Sequence, residues 1–242
     1  MTDEPYRWLE AVQNRREYVE TRLKGGSPAF AVSRREGVLL FAIGTGQSKV
    51  FEIHDRHALA GLGHPADLER VRQSIIDAAH LEAFTRAAED VSLRRLVSFG
   101  LGPLFKTAFE QIYAPPIIAR LVLAEVGDSP DVDQLMRLDF DGTFTNGAGF
   151  VAVSDDPAHG SALEVWLSNH LDPAMALPDV AALLYRAALH DGEGAPENSG
   201  PLPELPAGRR VEAALLQRQA PRAARYRALT ASDLGLTPPS PR

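Results

Sequence analysis

The chain has 242 residues, 45% of them hydrophobic and 24% charged, which suits one globular domain with a sizeable core, or a domain plus a tail. A formal net charge of -7, with no basic stripe carrying interleaved aromatics, argues against a nucleic-acid binder. There is no cysteine, so disulfides, thiolate catalysis and cysteine-held metals drop out. The acidic start MTDEPYRWLE offers no apolar run for a signal peptide, and no segment approaches the ~20 apolar residues a membrane helix needs; the expected location is the cytoplasm.

Tyr6 to Lys24 reads as a helix closed by Gly25-Gly26. Its larger apolar residues are Trp8, Leu9, Val12, Tyr18, Val19 and Leu23, and they can dock on the body or on a neighbouring copy. Arg15, Arg16, Glu17, Glu20 and Arg22 cover the remainder. Ala29 to Ser33 and Val38 to Ile43 form a hairpin turned at Gly37. The second of these strands is apolar throughout, so a sheet covered on both faces is expected. Lys49 to Ile53 and His57 to Leu62 are the next two strands.

His64-Pro65-Ala66-Asp67 opens a long helix, with proline and an acid suiting its first turn and Leu68, Val71, Ile75, Ala79 and Ala83 on one face. A second helical stretch, Val91 to Tyr113, should kink or split at Gly102-Pro103. Ile117 to Glu125 and Gln134 to Phe140 are strands; Asp141-Gly142 turns into Thr143-Phe144, and Phe150 to Val153 continues the sheet. Ala162 to His170 and Val180 to His190 return as helices. Strands, two helices, strands, two helices: this order predicts an α+β fold, a four-layer αββα sandwich with an extra helix in front.

The domain would run over 1–190, followed by a flexible linker at 191–208, rich in Pro, Gly, Ser and acids, and a C-terminal segment at 209–242. That segment holds a short strand, Val211 to Leu216, a basic run, and a last helical turn at Thr230 to Leu234.

Several polar clusters have structural explanations. His54 and His57 near Glu52 and Asp55 could hint at a metal, but strand alternation and an intervening turn favour a solvated turn. Glu125, Asp131 and Asp133 read as a solvated acidic loop, His80 as a helix margin, and Asp139 and Asp141 as turn residues. GTGQSK at 44–49 lacks the spacing of a phosphate loop and leads into no helix. No cofactor and no metal are expected.

An ordered set of segments nonetheless resembles one family. A helix ending in KGGS, then AFAVSRREGVLLFA, then SKVFEIHDRHALAGLGHPAD, LVLAEVG, MRLDFDGTF and finally VEAALLQRQAPRAARYRAL is similar to bacterial proteasome α subunits, of the N-terminal nucleophile hydrolase fold, over nearly the whole chain. The resemblance implies a heptameric ring of copies that caps inner rings of proteasome β subunits. Unfolded protein substrates would pass through it, and an ATPase or other ring-shaped activator would dock on it. Neither nucleic acid nor membrane is an implied partner.

Catalytic members of this fold use an N-terminal Thr freed by cleavage after Gly, with an acid and a lysine nearby. Ser27, directly after Gly25-Gly26, falls at the nucleophile position and Lys49 at that of the lysine. The acid is replaced by Ile43, Pro28 departs from the catalytic pattern, and the segment to be removed is itself a helix. Ser27 therefore reads as a vestigial position and the chain as non-catalytic, with a self-contained Ser27 hydrolase and a ring-forming scaffold without a β partner as alternatives. For Lys49 the resemblance implies a different task, together with Gly63 and His64: receiving the C-terminal carboxylate of an activator's tail. A compact ammonium suits that mode of recognition. Met1, Thr2, Asp3, Glu4, Pro5 and Tyr6 would sit at the ring's axial opening as a gate.

Overall fold

The structure, a computed structural model, describes residues 4–190 and 195–236, with side chains from Arg7 onward. Among the described residues, ten strands form two five-stranded antiparallel sheets. The first has the order β10-β9-β2-β1-β8, from β1 (Ala29–Arg34), β2 (Gly37–Gly44), β8 (Phe150–Val153), β9 (Arg210–Gln217) and β10 (Tyr226–Leu229). The second has the order β3-β4-β5-β6-β7, from β3 (Val50–His54), β4 (His57–Gly63), β5 (Ala119–Glu125), β6 (Gln134–Leu138) and β7 (Phe144–Gly147).

Alternation along each strand sends neighbouring residues to opposite faces, so each sheet feeds two apolar clusters. Ala29, Ala31, Leu40 and Ala42 of the first sheet meet Ala58, Ala60, Leu62 and Val122 of the second in one cluster. The small side chains there let the sheets approach closely. The opposite face of the first sheet, with Phe30, Leu39, Phe41 and Ile43, carries α5 (Pro157–His170) and α6 (Leu177–Leu189). Phe30 and Phe41 are opposed in register and fully buried, each contributing roughly 1.5–3 kcal/mol. The outer face of the second sheet, with Leu59, Leu121, Leu123 and Met136, carries α2 (Pro65–Thr85) and the helical segment that begins at Leu93. That two-sided burial is why β2 is apolar at every position.

Leu93–Arg95 (α3) runs through a π-helical turn, Leu96–Leu101, into α4 (Gly102–Glu110). The expected break at Gly102-Pro103 is thus a widened turn inside a continuous helix. Pro103 lacks an N–H and its ring crowds the carbonyl four residues back, and the π-turn relieves that crowding. The leading helix α1 (Glu4–Leu23) is anchored by Val19 and Leu23, while Trp8, Leu9 and Tyr18 stay exposed.

Three expectations are corrected. Phe150–Val153 does not continue the sheet of its predecessor: β7 belongs to the second sheet, and the chain crosses to pair β8 with β1 in the first. Gly147, where a Cβ would stand 2.1 Å from a Val151 methyl, and Gly149, at φ +80°, permit the crossing. Two of the three acids read as solvated are not: the Asp133 side chain is 1% exposed, and Glu125 is buried beside Arg56 and His57, while Asp131 is exposed as expected. At the His54–His57 turn, His54, Asp55 and Arg56 are partly exposed but His57 is fully buried.

The stretch read as a linker lies against α6 where it is described. Leu202 and Leu205 pack on the helix-side cluster, and the Tyr185 hydroxyl donates to the Pro203 carbonyl at 2.9 Å. Beyond it β9 pairs with β2 along its whole length, and β10, which no apolar pattern announced, forms the edge. No helix among the described residues is long and apolar enough to cross a membrane.

Candidate functional site

Gly25, at φ +79°, ends α1, and the chain then passes so close to β4 that a Cβ on Gly26 would meet a Leu62 methyl at 2.8 Å. This tight passage sets Ser27 between the end of β2 and the start of β3. The Lys49 ammonium donates to Ser27 Oγ at 2.9 Å and to the Ser27 carbonyl at 3.1 Å. The Ser27 hydroxyl donates in turn to the Ile43 carbonyl. The structure thus joins Ser27, Lys49 and the backbone of residue 43, which the sequence places 16 and 22 residues apart.

The Ile43 side chain lies elsewhere, fully buried in the cluster under α5 and α6. The acid that does meet Lys49 was not foreseen. Glu212 of β9 accepts the Lys49 backbone N–H at 2.6 Å, and its second oxygen accepts from Arg210 Nε at 3.2 Å. Nothing local in the sequence signals this contact, which spans 163 residues. Burial pushes the Lys49 amine down from 10.5 to about 8; Glu212 resists the shift and Arg209 adds to it. An ammonium has three donors, and Ser27 takes two.

Chemically this arrangement holds an anion better than it makes a nucleophile. A serine nucleophile needs a base to accept its proton. Here the proton points at a carbonyl, and the lysine acts as a donor to the same oxygen.

Gly63 and His64 lie at the matching end of the neighbouring strand: Gly61 N donates to the Lys49 carbonyl at 3.0 Å, and Gly63 follows two residues on. Gly63 is required by the chain's own backbone. At φ +146°, a Cβ there would stand 2.1 Å from the Ile118 carbonyl oxygen. His64, the departure from a small residue, acts as the N-cap of α2, its exposed imidazole accepting the Ala66 N–H at 3.3 Å. Of the gate residues, Met1, Thr2 and Asp3 lie outside the described residues, while Glu4, Pro5 and Tyr6 open α1.

Elsewhere, His54, His57 and His80 bring their rings within 6.1 and 5.8 Å of one another, at the far end of β3 and β4 from Ser27. Among the described residues, no group of three His, Asp or Glu side chains is placed to hold a metal ion.

No family model matches the chain. Curated relatives do. It is 27% identical over 230 residues to the proteasome subunit alpha of Streptomyces scabiei, covering 93% of this chain and 87% of that one. To its namesake in Streptomyces coelicolor it is 27% identical over 230 residues, with 93% and 85% covered. To that of Renibacterium salmoninarum it is 30% identical over 185 residues, with 74% and 72% covered.

Proposed function

This chain belongs to the proteasome α-subunit family, and from that premise we propose that it is a non-catalytic, gated outer-ring subunit of a bacterial proteasome core particle. In this reading the two sheets and their helices are the four layers of an αββα sandwich. Seven copies close into a ring, and the ring stacks on proteasome β subunits that carry the threonine-type protease. The observation that carries the non-catalytic part is the state of Ser27: its oxygen is engaged by Lys49 and by the Ile43 carbonyl, with no acid or free base to receive its proton.

Assembly is supported by apolar surface that a lone subunit would leave in water. Phe84 is 89% exposed and Phe99 78% exposed, with Leu81 beside them on α2, and Trp8, Leu9 and Tyr18 stand out from α1. Patches of this kind commonly mark protein interfaces. Lys49 is the proposed receptor for an activator's C-terminal carboxylate, helped by the exposed end of β4 at Gly63 and His64. A partly desolvated ammonium with a donor to spare is suited to that role. Met1 to Tyr6 form the proposed gate, because repeated copies around a closed ring can block an opening that one copy cannot.

Native mass with and without a co-expressed β subunit, together with N-terminal sequencing, tests the reading. We expect a ring that stacks only when the partner is present and a chain not cut at Gly26. Cleavage at Gly26 with peptidase activity lost in Ser27→Ala would replace it with a self-contained hydrolase, and a ring that ignores every β subunit would leave a scaffold. Deleting Met1 to Pro5 should raise peptide hydrolysis by the assembled particle; an unchanged rate counts against the gate.

A further inference from the structure

Alternation along β9 puts Glu212 on the same face as Ala214 and Leu216, which are buried in the cluster between the two sheets. Opposite Glu212 in register stands Ala42, of the same cluster. An acid at the end of an apolar face is costly unless its oxygens are bonded. Both are: Oε2 accepts the Lys49 N–H at 2.6 Å, and Oε1 accepts from Arg210 Nε at 3.2 Å. The Glu212 side chain is left only 10% exposed. Gly44 makes room for it, since a Cβ there would collide with Oε1.

These bonds hold the residue that leads into β3, so the Lys49 side chain departs from a fixed point. Among the described residues its ammonium bonds only to Ser27, through the carbonyl and Oγ, and one of its three hydrogens stays open. An acid paired directly with Nζ would compete with an incoming carboxylate. Glu212 lies near enough to favour the ammonium, yet its oxygens are engaged by the Lys49 backbone and by Arg210.

We infer that Glu212 is a positioning residue for carboxylate capture at Lys49: it fixes where the side chain starts, and its charge favours the ammonium without occupying the hydrogen that meets the ligand. This rests on the reading of Lys49 as a carboxylate receptor. The other groups around Lys49 give the ammonium no such support. Burial brings its amine down to about 8 against the pull of Glu212, and Arg209 adds to the lowering. Tyr226 of β10, whose hydroxyl donates to the Val50 carbonyl at 3.5 Å, is pushed up to about 12 by burial, then by Glu52 and Glu212, and is neutral near pH 8.

Lys24, Lys49 and Lys106 are the three lysines of the chain, so labelling lysine with 13C at Cε lets NMR titrate Lys49 directly in the full chain. Glu212→Gln keeps an oxygen for the Lys49 N–H and removes the charge. We expect the Lys49 midpoint to fall by about one pH unit. Binding of N-acetyl-trialanine as its free acid, with the amide as control, should then be about fivefold weaker than in the parent at pH 8 and nearly unchanged at about pH 6, where Lys49 is protonated in both. Equal weakening at both pH values, the mark of a purely structural defect, overturns the proposal, and so does an unmoved midpoint. A parent chain that does not prefer the free acid to the amide sinks the receptor reading, and the midpoint then decides by itself whether Glu212 sustains the charge of Lys49. Should Glu212→Gln fail to fold, Arg210→Gln decides instead, because Arg210 is exposed. Freeing Oε1 and removing a cation should raise the midpoint, and an unmoved or lower one overturns the proposal.

Discussion

Arg218 and Asp133 form a two-pronged ion pair, Nη1 to Oδ1 and Nη2 to Oδ2 both at 2.8 Å, with side chains only 8% and 1% exposed. The carboxylate also receives the Ser33 hydroxyl at 2.5 Å and the Gly127 N–H at 2.8 Å. The guanidinium donates to the carbonyls of Arg34 and Gly127 at 2.8 and 2.7 Å. One pair therefore ties the residues after β9, the β1–β2 hairpin and the β5–β6 loop together. Removing one partner leaves the other charge buried, so Arg218→Ala should cost about 3–5 kcal/mol in denaturant unfolding, and replacing both residues with apolar ones should cost less. A loss below about 1 kcal/mol for Arg218→Ala would show that water enters and solvates Asp133.

Lys49 makes a prediction with a defined sign. Its folded-state pKa, about 8, lies below the ordinary 10.5, so between these values the unfolded chain holds a proton that the folded chain lacks. Stability contributed by this group therefore rises with pH across that window, and below it the ammonium is held at a cost. Lys49→Met should leave the melting temperature at pH 7 unchanged or higher and remove the slope between pH 8 and 10.5. The same variant should lose stimulation by a tail-docking activator, which in the parent chain should fade as pH rises through about 8. A lower melting temperature with intact stimulation would make Lys49 a structural residue.

The His54 end of the same strand pair should confer acid sensitivity. Burial lowers the His54 pKa, with His57, His80 and Arg56 adding to the shift and Asp55 opposing it. Glu52 also belongs to this strand end; its carboxyl, raised first by burial and then by Asp55, takes up its proton more readily in the folded chain and so offsets part of the loss that Glu125 brings near pH 4.5. For Glu125, burial alone would raise the pKa; the His57 imidazole, the Leu93 N–H and Arg56 outweigh it and leave the carboxyl below its usual 4.5. For His54 the unfolded chain binds the extra proton below pH 6.5, and for Glu125 it does so below about 4.5. Thermal stability should thus begin to fall below pH 6.5 and fall again near pH 4.5, and His54→Gln should flatten only the first step. A single transition unchanged by His54→Gln would contradict this assignment.

Gly63→Ala is expected to destabilise the fold by about 2–3 kcal/mol, the range for a strained backbone combined with a clash. At φ +146° the new methyl would stand 2.1 Å from the Ile118 oxygen and 2.7 Å from Ala119 Cα, both backbone atoms with no rotamer to yield. Equilibrium unfolding measures it. A neutral result would mean that the β4–β5 pairing relaxes at its end.

Much of this protein was legible residue by residue. The eight-residue apolar run of β2, the proline and acid that open α2, and the glycines at 25 and 37 are local signals with local causes. They placed nine of the ten strands and the principal helices to within a few residues, and the order of those segments carried the resemblance that the relatives bear out. Edge strand β10 escaped because Arg227 and Ala228 face solvent and leave no apolar pattern. Charged residues were the other gap. Arg15, read as surface, donates to the carbonyls of Ala108, Ile112 and Ala114 at the end of α4, and Asp133 and Glu125, read as solvated, are buried in ion pairs.

The same division runs through the candidate site. By itself, the sequence determined that Ser27 follows two glycines, that Lys49 opens the third strand and that Ile43 ends the second. The resemblance alone implied that an acid belongs at position 43 in catalytic members of the fold. Only the tertiary structure decided what they amount to. It turned Ile43 toward the helices and its carbonyl toward Ser27, and it brought Glu212 to Lys49 from 163 residues away. The physical reason is that hydrophobic periodicity depends on a residue's own neighbours along the chain. Hydrogen bonds and desolvation depend on atoms that become neighbours only when the sheets close.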